Sequence, residues 1–127
     1  VYKGTPEAMR EAAARAAAAD VVVKASGVGF EDDRLLEAVM EAARPDALRL
    51  YWDVDAPATL AELRADPRHP LRRMLPALDA VLTYGGGDPV AEEYMALGAR
   101  WCGPVYNALD PDEHRPEEPE PEWEADL

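Results

Sequence analysis

Cysteine is nearly absent. One thiol, Cys102, in 127 residues excludes an internal disulfide and a thiolate metal cluster, and it fits a reducing compartment. Basic residues are scarce: 13 Lys and Arg stand against 26 Asp and Glu, for a net charge of −13. A nucleic-acid binder needs a basic face to meet phosphates, and none is present. No apolar run approaches the roughly 18–20 residues that span a bilayer, and the Ala-rich stretch from Ala12 to Ala19 is broken by Arg15, so it is not a signal peptide. The expected location is the cytoplasm. Ser26 is the only serine and stands in no G-x-S-x-G elbow, which excludes the serine-hydrolase arrangement.

The charge is unevenly placed. From Asp110 to Leu127 nine acids face one Arg, so residues 1–109 carry only −5 of the total. This divides the chain into a mildly acidic α/β body, 1–109, and an acidic Pro/Glu-rich linker or tail, 110–127. The body has room for one modest core. The first residue is Val, and Glu124–Leu127 reads as the lead-in to another strand, so a piece of a longer protein is expected.

Within the body the pattern alternates. Thr5-Pro6-Glu7 starts a helix, with Thr as N-cap and Pro in the first turn. "DVVVKASG" is a β-branched strand that ends in small residues. "FEDDRLLEAVMEAAR" puts Leu35, Leu36, Val39 and Met40 on one helical face, and Pro45 ends it. "ALRLYWDV" is the second strand. Two short helical pieces follow, broken at Pro67 and Pro70. "AVLTYGGG" is the third strand, and "DPVAEEYMALG" is a helix with Asp88 as N-cap and Gly98 just past its end. "ARWCGPVYN" is a fourth strand, interrupted by Gly103-Pro104. Alternation of this kind predicts a doubly wound, Rossmann-like parallel sheet of about four strands with helices on both faces.

Ligands of open parallel sheets bind beyond the carboxyl ends of the strands. The four exits are Lys24 to Gly29, with Ser26 and Gly27, Asp53-Val54-Asp55, Tyr84-Gly85-Gly86-Gly87 and Tyr106-Asn107. Turn chemistry alone explains each one; together they suggest a crevice. In an extended strand Asp53 and Asp55 point the same way, about 6.5–7 Å apart. Asp55 precedes Ala56-Pro57, where Asp caps a helix. Asp53 has no such role and is the better ligand-facing acid. Trp52, on the other face of the strand, is expected in the core. His69, before a proline, reads as a solvated turn residue, and Cys102 as a small buried hydrophobe. No metal site stands out. Gly27-x-Gly29 begins a dinucleotide fingerprint, but Asp32 replaces its third glycine, and Glu31, Asp32 and Asp33 would repel a pyrophosphate.

The stretches "ADVVVKASGVG", "LYWDVDAPATL", "LPALDAVLTYGGG" and "GARWCGPVYNALDPDEH", taken in order, resemble the amino-terminal half of CgeB-like glycosyltransferases. The resemblance runs from about Ala19 to His114. It implies one half of a two-domain GT-B architecture, with the acceptor-side domain here and the nucleotide-sugar donor bound by a carboxyl-terminal domain in cis. It implies no resident cofactor, a sugar acceptor as partner, and crevice positions at Ser26, Gly27, Asp53, Asp55, Tyr84, Gly85, Gly86, Asn107 and Ala108. Asp53 would be the general base. The fragment alone would then be inactive. A non-catalytic α/β binding or interaction module is the alternative.

Overall fold

The structure, a computed structural model, describes residues 3–27, 29–117 and 121–123. Helix α1 spans Pro6–Ala16, strand β1 Val21–Ala25, α2 Asp32–Ala42, β2 Leu48–Asp53 and α3 Ala56–Ala65. Helix α4, Pro70–Met74, runs into a 3-10 turn at Leu75–Ala77. Strand β3, Ala80–Thr83, helix α5, Gly87–Ala96, and strand β4, Cys102–Pro104, complete the layer. The chain is therefore α/β, with a four-stranded, all-parallel, Rossmann-like sheet. The strand lead-in expected at Glu124–Leu127 lies outside the described residues.

Local chemistry explains the element ends. The Thr5 hydroxyl accepts from the Ala8 N–H at 3.2 Å and caps α1. Gly98, at φ +112°, turns the chain out of α5, and the Ala99 N–H closes back on the Tyr94 carbonyl at 3.0 Å. Arg49, on β2, reaches the carboxyl end of α2 and donates to the Ala43 and Arg44 carbonyls at 2.9 and 2.8 Å, which satisfies acceptors the helix leaves open. Two sequence readings change. Asp88 lies in the first turn of α5, whose N-cap is Gly86. Gly103 and Pro104 do not interrupt the fourth strand; they pair with Leu82 and Thr83 and belong to it. Pro104 has no N–H to give, and an edge strand tolerates that.

The sheet order is β1-β2-β3-β4, so each strand pairs with its neighbours in the chain. Right-handed crossovers that always step in one direction put α2, α3, α4 and α5 on the same side, and α1 packs against α2. The burial agrees. Val22, Tyr51, Val81 and Cys102 join Leu35, Leu36, Val39, Met40, Leu60, Leu63, Leu71, Leu75 and Tyr94 in one cluster. The alternate strand positions do not. Val21, Val23 and Leu48 are exposed, and Leu50, Trp52 and Leu82 are half-buried. The expectation of helices on both faces is thus corrected: the winding is single, and no helix among the described residues covers the second face. Trp52 consequently lies on that open face and not in the core. Its ring meets Tyr84 edge-on at 5.7 Å, and its indole Nε1 is buried without a hydrogen-bond partner among the described residues. Cys102 is buried as expected.

No helix among the described residues is long and apolar enough to cross a membrane.

Candidate functional site

A cavity of about 490 Å³ opens beyond the carboxyl ends of β1 and β2, between α2 and α3. Its walls come from Ser26 and Gly27, the first turn of α2, Tyr51, the Val54–Asp55 turn, Thr59 and Glu62 on α3, and His69. This is where a parallel sheet presents ligands, although the strand order reverses nowhere among the described strands.

Ser26 holds the mouth together. Its N–H donates to the Trp52 carbonyl, and its hydroxyl accepts from the Val54 N–H, both at 2.8 Å. The exits of β1 and β2 are thereby locked side by side. Gly27 is exposed beside them.

The two aspartates exchange the roles their spacing suggested. Asp53 is fully buried, 0% exposed, on the helix-covered face. Its Oδ1 accepts from the Thr59 hydroxyl at 2.9 Å and from the Asp55 N–H at 3.1 Å, and its Oδ2 accepts from the Tyr94 hydroxyl. A carboxylate shut in by two hydroxyls and an amide is a scaffold element here, and the expected ligand-facing position is corrected on that ground. Asp55 is exposed and lines the cavity. It stands at the N-cap of α3, but its side chain makes no capping hydrogen bond.

The remaining carboxylates set the field. Lys24 is buried under the site and grips both oxygens of Asp32, at 2.9 and 2.8 Å. Arg34 holds Glu31 at 3.0 Å. Glu31 adopts φ +44° at the start of α2, a conformation that non-glycine residues rarely take. Asp33, Asp55 and Glu62 are left to face the cavity, with the His69 Nε2 3.9 Å from both Asp33 and Glu62. A net negative field disfavours phosphates and suits a neutral polyol or an amine.

His69 and Tyr51 join the site without having been singled out as ligand-facing. His69 is half-buried, not solvated, and its Nδ1 accepts from the Leu71 N–H at 3.2 Å to start α4. Tyr51 is buried beneath the cavity, and burial with the nearby Asp53 charge pushes its phenol well above the ordinary value of 10. The strand period already set Tyr51 on the Asp53 face; no local signal marked His69.

The other predicted positions lie apart. Tyr84, Gly85, Gly86, Asn107 and Ala108 do not line this cavity. Tyr84 is exposed at the end of β3, and Asn107 and Ala108 are exposed after β4. Glycine at 86 has a packing reason: φ is +88°, and a Cβ there would fall 2.3 Å from the Val90 Cγ2. Gly85 lies close to the Tyr106 ring, 3.8 Å from where its Cβ would stand. The structure thus joins Ser26, Gly27 and Asp55 in one place, and Tyr84 to Gly86 in another.

Among the described residues no three His, Cys, Asp or Glu side chains are arranged to hold a metal ion. No protein family, curated protein or solved structure matches the chain.

Proposed function

We propose that this chain is the acceptor-side portion of a glycosyltransferase, with the cavity between α2 and α3 receiving a sugar hydroxyl acceptor. The observation that carries the reading is Asp55: an exposed carboxylate without a capping bond, on the cavity wall at a strand exit. The resemblance to CgeB-like glycosyltransferases supports it. The base that such a transfer needs is then Asp55 rather than Asp53. Asp55 takes the proton of the acceptor hydroxyl as that oxygen bonds the anomeric carbon; the bond from that carbon to the diphosphate breaks, and the diphosphate keeps the electron pair. A donor-binding domain in cis carries the nucleotide sugar and stabilises the leaving group. The acidic lining supports a neutral or amino-sugar acceptor over a phosphorylated one.

Saturation-transfer NMR of this chain with neutral sugars, amino sugars, uridine diphosphate and NAD tests the reading. Sugars should bind, and Asp55→Asn should abolish that binding with the fold retained. Binding of NAD or uridine diphosphate with no sugar bound would replace the reading. The chain incubated alone with nucleotide sugars should transfer nothing.

A second reading, a non-catalytic interaction module, is favoured by one observation: the apolar sheet face that no helix of the described residues covers.

A further inference from the structure

We infer that the open face of the sheet is a contact surface for a second copy of this chain. The strand register defines that face in rows. Val21 stands beside Leu48; Val23 beside Leu50 and Ala80; Ala25 beside Trp52, Leu82 and Gly103. Trp101 folds its ring over Gly103, where a Cβ would lie 2.4 Å from the ring. None of these side chains carries a charge. Lys24, Arg49 and Asp53, the charged residues of the strands, all belong to the opposite, helix-covered set.

Exposure on this face is large. Val21 is 52% exposed, Val23 48%, Leu48 44%, Trp101 51% and Tyr84 40%. With the half-buried Leu50, Trp52 and Leu82 these leave roughly 600 Å² of accessible apolar surface, the upper end of what monomers show. Two such faces in contact remove about 1,200 Å², the lower end of specific interfaces. A parallel sheet is normally covered on both sides. A second copy offers the same uncharged, apolar rows, so one patch completes itself about a two-fold axis and the assembly closes at two. Among the described residues, the strand side chains of this face offer a charged partner nothing to pair with.

The like net charge of the two chains gives the association a sign. Each carries −13, so salt should screen the repulsion and tighten the dimer; an ion-paired interface would loosen.

Sedimentation equilibrium of the full chain over about 1–500 µM, at about 0.05 and 0.5 M NaCl, tests this. The mass should rise from one chain to two, more readily at the higher salt, and acrylamide quenching of tryptophan should fall with concentration as Trp101 is covered. Val23→Lys and Leu48→Glu, both at exposed positions, should keep the far-UV spectrum and weaken association at least tenfold. A single-chain mass throughout, growth beyond two chains, or a folded Val23→Lys that pairs as well as the parent would overturn the proposal. If both variants lose their fold, quenching of the parent protein decides: no change with concentration rejects the dimer.

Discussion

Tyr94, in the last turns of α5, donates its hydroxyl proton to Oδ2 of Asp53 at the end of β2. Both side chains are fully buried. The bond ties the α5 layer to the sheet beneath the cavity, and Thr59 on α3 shares the same carboxylate. Tyr94→Phe leaves half of a buried carboxylate unsatisfied and should cost about 2–3 kcal/mol in urea unfolding. Asp53→Ala removes the common acceptor, leaves the Thr59 and Tyr94 hydroxyls without it, and should cost about 2–4 kcal/mol. Adding Tyr94→Phe to Asp53→Ala should cost little more, since the tyrosine then has no carboxylate to satisfy.

Asp55→Ala should leave stability within about 0.5 kcal/mol, because the side chain caps nothing. The same change should remove sugar binding at the cavity. Asp53 variants should lose stability first, and binding only as the Ser26–Val54 bracket loosens. Thermal melts and ligand NMR on the two variants separate the roles.

Stability should fall on the alkaline side. Burial pushes the Cys102 thiol up from 9 to about 11 and the phenols of Tyr51 and Tyr94 well above 10. A raised folded-state value means the folded chain holds its proton where the unfolded chain releases it. The associated stability is fully present below pH 9 and is lost as pH rises through 9 to 11 and beyond. Melting temperatures measured between pH 8 and 11 should drop, and Tyr94→Phe should flatten the upper part of that fall. Cys102 should remain slow to react with thiol reagents at neutral pH in the folded protein.

Gly86→Ala should destabilise by more than the ordinary cost of a left-handed residue, about 1–3 kcal/mol. The new Cβ meets Val90 as well as an unfavourable φ. Val90→Ala in the same chain should recover part of the loss, and chemical denaturation reads both.

Much of the fold was legible because its signals are local. Thr5-Pro6, Gly98 and the period-two split of Leu48, Leu50 and Trp52 from Arg49, Tyr51 and Asp53 each act within a few residues. Which face the helices cover was not legible: both sets on β1 and β2 contain apolar residues, and the answer depends on strand order. Of the four strand exits, those after β1 and β2 line the cavity and those after β3 and β4 do not, and of the two acids it is Asp55, not Asp53, that faces it. Asp53 finds its partner in Tyr94, 41 residues away, and Asp55 forgoes the cap its position offers. Spacing contains neither fact.

The strand order has a kinetic side. Because β1, β2, β3 and β4 pair only with chain neighbours, no connection spans more than one strand-and-helix unit, and closing each one costs less entropy than a crossover to a non-neighbouring strand would. The sheet can assemble one strand-and-helix unit at a time from the middle outward. Amide exchange should be slowest in β2 and β3, where both edges are paired, and fastest at β1 and β4, so that opening peels from the rims.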